Sequence, residues 1–208
     1  MKITRALAIV FAFSLLVLSG MPAYAGLVYS TFGPGNAYDM DTGYTVGLNG
    51  SQQVAAAFQP LSDFTLYSIN FAAWCDGIND PSGLITVRLT DVNANNIFET
   101  FTISVDGYPS DIYTATSVVH PSLSADQVYW IVLSAQDSGD TFAWNWNNQG
   151  YTGWYRNMGT GWEDLNYPNV WAPAFAVNSA PVPIPGALVL YGSGLLGLIG
   201  IDRKRFKK

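Results

Sequence analysis

The stretch from Phe142 to Trp171 holds the side chains best suited to gripping a ligand. Phe142, Trp144 and Trp146 recur at every second position, and Tyr151, Trp154, Tyr155, Trp162, Tyr167 and Trp171 follow, with Asn145, Asn147, Asn148 and Gln149 set among them. Sugar recognition uses this combination, because a pyranose lays its C–H face on an aromatic ring while amide side chains donate to and accept from hydroxyls. Two readings divide the stretch. Period-2 apolar residues are what a half-buried strand looks like, so Phe142, Trp144 and Trp146 are expected to face a core and the Asn side chains to face water. Trp154 and Trp162 each follow a Gly in Gly- and Asn-rich sequence that reads as loop, which makes Asn148, Trp154, Tyr155 and Trp162 the expected glycan contacts.

A second chemistry belongs to carboxylates clustered in turns. Asp39 and Asp41 are two apart, Asp76 and Asp80 flank Gly77-Ile78-Asn79, and Asp91 leads Asp91-x-Asn93-x-Asn95. Calcium takes six to eight oxygen ligands from loops of this kind. The Asp91 segment begins like an EF-hand loop but has Asn96 where Gly is needed and no Glu at its twelfth position. Turn formation and solubility explain the same residues, so a structural Ca²⁺ is the one cofactor left open, with no site preferred.

Most catalytic chemistry is excluded by composition. Cys75 and His120 are the single cysteine and the single histidine, so a disulfide within the chain, a zinc site rich in His or Cys, and the usual nucleophile and base pairs are absent. Beside Trp74, Cys75 reads as a small buried hydrophobe, and His120 reads as a hydrogen-bonded residue where an apolar strand enters a turn. Glu99 and Glu163 are the only glutamates, and nothing in their spacing supports a hydrolytic pair. No catalysis is expected.

These groups need a scaffold, and the pattern supplies strands. Residues 64–71, 84–89 and 97–105 alternate apolar with polar, and Asp91 to Asn96 between the last two suits a hairpin turn. Further strands are expected over 27–32, 52–58, 112–119, 127–134, 141–146, 151–156 and 174–177, with no helical periodicity sustained for ten residues. Many short strands punctuated by Gly, Pro, Asn and Asp predict an all-β fold, an antiparallel β-sandwich of jelly-roll type over 26–180. That span is long enough to bury a core as one domain. Only Arg88 and Arg156 among the Lys and Arg residues fall within it, against fourteen carboxylates, so it carries a net charge of −12 where the whole chain carries −6. Such a surface repels nucleic acid and anionic lipid.

The two ends are addresses. Lys2 and Arg5 precede an apolar run from Ala6 to Leu18, and Ala23-Tyr24-Ala25 stands before Gly26. This is the pattern of a secretory signal peptide over 1–25, cut by signal peptidase after Ala25; an uncleaved signal anchor is the alternative. At the other end, residues 187–201 form an apolar run of about 15, short of the ~20 a comfortable membrane span needs, followed by a strongly basic tail. Basic tails stay cytoplasmic, which leaves the domain outside.

The proline motif Val182-Pro183-Ile184-Pro185, the Gly192 to Leu198 run and the cluster Arg203, Lys204, Arg205 together resemble the PEP-CTERM family of bacterial sorting signals. Ile184 stands where the commonest form of that motif has Glu. The resemblance covers the last 28 residues. It implies an exported protein, held in the inner membrane by its carboxy-terminal apolar helix until an exosortase-type membrane protease cuts near the prolines, and then passed to the cell surface or extracellular matrix. A plain tail anchor that is never cut is the competing reading. Leu123 to Leu133 also resembles a strand found in exported β-sandwich domains that carry this tail, with Asp126 and Gln127 altering its entry turn. The reading from the sequence is therefore a structural or adhesive matrix protein. The alternative is a module binding extracellular polysaccharide through residues 144–171.

Overall fold

The computed structural model describes residues 25–48, 51–75, 82–137, 139–165 and 170–181, and they contain thirteen strands and no α-helix. In order these are β1 (Leu27–Ser30), β2 (Gly43–Val46), β3 (Gln53–Phe58), β4 (Phe64–Cys75), β5 (Ser82–Asp91), β6 (Ile97–Asp106), β7 (Asp111–Thr116), β8 (Ser122–Leu123), β9 (Tyr129–Ala135), β10 (Phe142–Asn145), β11 (Trp154–Asn157), β12 (Trp162–Asp164) and β13 (Phe175–Ser179). Every strand pairing is antiparallel. The folded unit spans Ala25–Ala180.

The strands make two sheets. One has six strands in the order β12-β11-β3-β9-β5-β6. The other has seven and is built on β4, whose twelve residues pair with β13 and then β10 along one edge and with β8 and then β7 along the other; β1 adds to β13 and β2 to β10. The β4–β13 register slips where Asn178 faces Ser68 and Ser179 faces Leu66. The extra residue, Tyr67, shifts the alternation by one, so Leu66 and Ile69 both reach the core.

Alternation decides which side of each strand is buried. Val54, Ala56 and Phe58 of β3, Ile85, Val87 and Leu89 of β5, and Ile131 and Leu133 of β9 share one hydrophobic core with Ile69, Phe71 and Ala73 of β4, Phe142 and Trp144 of β10, and Phe175 and Val177 of β13. Ile85, Leu89, Phe71, Trp144 and Phe175 are each fully buried, which at about 1.5–3 kcal/mol per large apolar side chain makes this core the main stabiliser. Thr31, Asn145 and Asn147 enter it as polar brackets. Thr31 donates to the Pro173 carbonyl at 2.8 Å and accepts from the Phe175 N–H at 2.9 Å, so the chain leaving β1 is tied to the segment entering β13.

Ten strands overlap the ten segments expected from the sequence, including the β5–β6 hairpin, whose turn carries Asn93 and Ala94 at positive φ. Three strands have no signal in the sequence. β8 and β12 are two and three residues long, and β2 opens with Gly43 directly after the acidic turn. Gly43 sits so close to Trp144 of β10 that a Cβ there would lie 2.7 Å from the Trp144 carbonyl oxygen. The strand therefore begins with Gly because its neighbour's backbone leaves no room for a side chain. Residues 118–120 correct a second expectation: β7 ends at Thr116, and Val118 and Val119 are 84 % and 66 % exposed rather than part of an apolar strand.

Candidate functional site

Because the six-stranded sheet buries one face in the core, the residues between those inward positions must point outward. On β9 these are Trp130, Val132 and Ser134; on β3, Gln53, Ala55 and Ala57; on β5, Thr86, Arg88 and Thr90; on β11, Tyr155 and Asn157; on β12, Trp162 and Asp164. The pairing runs one row across the sheet: Thr100, Arg88, Val132, Ala55, Tyr155, Asp164.

A second, smaller apolar cluster sits on this outward face. Ala55, Trp130 and Val132 are buried there, with Ala57, Tyr155 and Trp162 packed against them. The small Ala55 and Ala57 side chains leave space above β3 for large rings. Tyr155 stacks on Trp130 with ring centroids 4.2 Å apart and planes 23° apart, and Trp162 meets Trp130 edge-on at 5.1 Å. Trp130 is only 2 % exposed despite lying on the outside of the sheet, and its Nε1 has no hydrogen-bond partner among the described residues. Tyr155 and Trp162 cover it and remain partly open to solvent, forming an aromatic shelf.

Beside the shelf lies Arg88, half-buried on β5. Its Nη2 donates to Gln53 Oε1 at 3.0 Å, its Nε is buried without a partner among the described residues, and desolvation lowers its pKa from the ordinary arginine value. The other cation, Arg156, donates from Nη2 to Glu163 Oε2 at 2.8 Å, the one ion pair among the described residues.

Set against this face, the sequence-based contacts separate. Tyr155 and Trp162 lie together on the shelf as just described. The exposed-loop assignment of Trp154 is corrected: it is 7 % exposed and points inward from β11, stacked on Tyr44 with planes 22° apart. Adjacent residues of a strand face opposite sides, so Trp154 and Tyr155 cannot share a surface. Burial also raises the pKa of Tyr44, whose hydroxyl donates to the Trp171 carbonyl. Asn148 is exposed but accepts from Gln149 Nε2 at 2.7 Å, in a loop packed against Gly33 and not on the shelf. Phe142 and Trp144 face the core as expected, but the intervening amides do not face water. Asn145 and Asn147 are fully buried; Asn145 Nδ2 donates to the carbonyls of Asp39, Met40 and Thr42, and Asn147 Nδ2 to those of Tyr151 and Ala172.

The carboxylates are placed as turn acceptors. Asp39 Oδ1 accepts from the N–H groups of Asp41 and Thr42 at 3.0 and 3.2 Å, and Asp91 accepts from the Asn96 N–H at 2.8 Å. Bonds from Asn96 lower the pKa of Asp91. Asp39 and Asp41 precede β2 of the seven-stranded sheet, whereas Asp91 ends β5 of the other, so the fold does not bring them together. Among the described residues no three acidic, His or Cys side chains converge on one point. Asp76 and Asp80 lie outside the described residues, as do Ala23, the motif Val182, Pro183, Ile184, Pro185, and Arg203, Lys204 and Arg205. Gly26, the residue after the expected signal cut, accepts from the Ser179 N–H at 2.7 Å, so the two ends of the folded unit leave side by side.

Trp130, Arg88 and Gln53 were not singled out from the sequence, though a signal existed. Tyr129 and Trp130 are consecutive in a strand, so one of them had to face outward. Arg88 stands at a polar position of the alternating Ile85-Thr86-Val87-Arg88-Leu89. No protein-family model and no curated protein matches this chain.

Proposed function

We propose that this chain is an exported, surface-sorted adhesive protein of the extracellular matrix that holds polysaccharide on the outward aromatic shelf of its six-stranded sheet. The observation that carries the reading is the shelf itself. Tyr155 and Trp162 lie on a buried Trp130 on the solvent side of a sheet, where an ordinary antiparallel sheet presents polar residues. Partly open rings backed by a rigid aromatic base offer sugar C–H faces a surface that costs little ordering.

The body is read as a jelly-roll β-sandwich. What supports this is the strand order β2-β10-β4-β7 in one sheet and β3-β9-β5-β6 in the other, with β2 to β10 visiting the sheets in the alternation two Greek keys require. The ends are read as a cleaved signal peptide and a PEP-CTERM-type tail processed by an exosortase-type protease. The pairing of Gly26 with Ser179 fits a domain that begins at the expected cut and ends just before the proline motif. A binding role is also favoured over a hydrolytic one because both glutamates are engaged, Glu99 by Ser117, Val118 and Val119, and Glu163 by Arg156.

Two experiments test this. Mass spectrometry of protein recovered from the cell surface and medium is expected to find termini at Gly26 and near Pro181–Pro185; a chain intact through Lys208 would remove the sorting reading. Affinity electrophoresis in matrix polysaccharide from the producing cells is expected to retard the wild-type protein and to lose at least ten-fold in retardation with Trp162→Ala or Tyr155→Ala. Unchanged retardation in both variants would remove the shelf.

A further inference from the structure

The outward face of the six-stranded sheet differs in charge from the rest of the domain. Its outward positions on β3, β9, β5 and β6 include Gln53, Ala55 and Ala57, Trp130, Val132 and Ser134, Ser82, Leu84, Thr86, Arg88 and Thr90, and Thr100, Thr102, Ser104 and Asp106. They include one cation and one carboxylate, Asp106 at the end of β6 six residues beyond Thr100, in a span where carboxylates outnumber cations fourteen to two. Acid among the described residues of this face stands at its margins, as Asp106 at the end of β6 and Asp164 of β12, and not beside Arg88, which Thr100 and Val132 flank.

Arg88 is the centre of that strip. A half-buried guanidinium without a counterion is costly, since a charge removed from water needs a partner of opposite sign. Arg156 has one at 2.8 Å, but Arg88 has only the neutral Gln53 Oε1 among the described residues; the Nε atoms of both are buried without a partner there. The guanidinium fork matches a carboxylate with two parallel N–H···O bonds. Thr100, directly opposite on β6, is exposed and places a hydroxyl beside the same point.

Resting on the shelf reading above, we infer that the polysaccharide is acidic, and that Arg88 receives a uronate carboxylate of the chain whose neighbouring sugars lie on Tyr155 and Trp162. Arg88 and Tyr155 are separated by β9 and β3, about 14 Å at ~4.8 Å per strand. An oligosaccharide covers that span and a single pyranose does not. The domain's net negative charge opposes a polyanion at long range, while the contact at Arg88 is short-range and partly shielded from solvent. Binding is therefore expected to strengthen as salt rises from low to physiological, the reverse of a site that relies on steering.

The test uses the full chain in detergent with polygalacturonate and the same polymer after its carboxyl groups are reduced to alcohols. Wild type is expected to bind the acidic polymer at least ten-fold more tightly than the reduced one. Arg88→Gln is expected to erase that preference while keeping the residual affinity for the reduced polymer, and Arg88→Lys to restore part of it; near-ultraviolet circular dichroism confirms that each variant is folded. Equal binding of both polymers by wild type, or an acid preference that survives Arg88→Gln, would overturn the inference while leaving the shelf in place. Binding of neither polymer, or binding unaffected by Trp162→Ala, would overturn the shelf as well.

Discussion

On the outer face of the seven-stranded sheet, Asn178 Nδ2 donates to Ser68 Oγ at 3.1 Å and to Asn70 Oδ1, and Asn70 Nδ2 donates to Thr114 Oγ1 at 2.8 Å. These side chains satisfy one another across β13, β4 and β7, in the manner of a sheet face whose only neighbour is water. A hollow of about 190 Å³ beside them, lined partly by Phe32, Asn36, Asn70 and Asn178, is smaller than the ~300–1,000 Å³ of usual ligand pockets. The six-stranded sheet differs: it holds a cluster of three aromatic rings and, among the described residues, a buried indole N–H with no acceptor and an arginine with no counterion. Trp74, on the outer side of β4, also has a buried Nε1 without an acceptor among those residues, so what separates the two faces is the aromatic cluster on Trp130 and the guanidinium of Arg88. A deep pocket is therefore a poorer guide to the site here than unmet chemistry.

The largest contrast between an inward and an outward position is expected from two adjacent residues of β11. Trp154→Ala removes a ring from the core and is expected to cost about 3–5 kcal/mol in denaturant unfolding. Tyr155→Ala, one residue on but facing outward, is expected to cost about 0.5–1.5 kcal/mol, the worth of a lost aromatic pair, while weakening polysaccharide retention. If the two unfold alike, the outer cluster is a second core and not a binding surface.

That pair also marks how far the sequence could be read. The strand signal over 151–156 was legible and the fold has β11 there, but Trp154-Tyr155-Arg156-Asn157 has no apolar-polar alternation to fix its phase. Which ring is buried depends on β3, where Trp154 pairs with the buried Ala56 and Tyr155 with Ala55 of the other face. Trp144 was easier, because Phe142-x-Trp144 sets its own phase. The amides were misread for a different reason. Asn145 looks like a solvent-facing residue by alternation, yet the incoming chain at Asp39 to Thr42 presents three carbonyls that need a donor, and only the assembled fold reveals them.

Glu99 offers a pH-dependent separation of fold from face. It is 6 % exposed on β6 and accepts from Ser117 Oγ at 2.6 Å and the N–H groups of Val118 and Val119 at 2.7 and 3.0 Å, linking the six-stranded sheet to the chain leaving β7 of the other. Burial pushes its carboxyl upward, but the bonds from Ser117, Val119 and Val118, with the nearby His120, outweigh this and hold the pKa below its ordinary value. A lowered folded-state pKa stabilises the protein fully above the unfolded value of about 4.3, and the contribution is lost as pH falls through the folded value. Glu99→Gln is expected to cost about 1–3 kcal/mol at neutral pH and to flatten the acid limb of the stability profile. Polysaccharide binding at neutral pH is expected to stay unchanged, since Glu99 is on the inward side of its strand.

The polar face should respond more weakly. Asn70→Ala and Asn178→Ala each remove side-chain hydrogen bonds at a partly exposed site, with an expected cost of about 0.5–1.5 kcal/mol and no change in retention. Loss of retention in either would mean that the ligand lies on the seven-stranded sheet.

The smallest expected effect is the most informative about charge. Arg156 and Glu163 form a surface pair with side chains 37 % and 50 % exposed, so breaking it with Arg156→Gln should cost no more than about 0.2–1 kcal/mol. Both variants, Arg88→Gln and Arg156→Gln, remove one of two cations and make the domain equally more acidic. Any difference between them in polyuronate binding therefore comes from position and pairing, not net charge. Arg156 already has its carboxylate and lies on the opposite side of β11 from Tyr155, so its loss is expected to leave binding within two-fold of wild type. Equal losses from both variants would mean that long-range attraction to the scarce cations, and not a seat at Arg88, draws the acidic polymer to the domain.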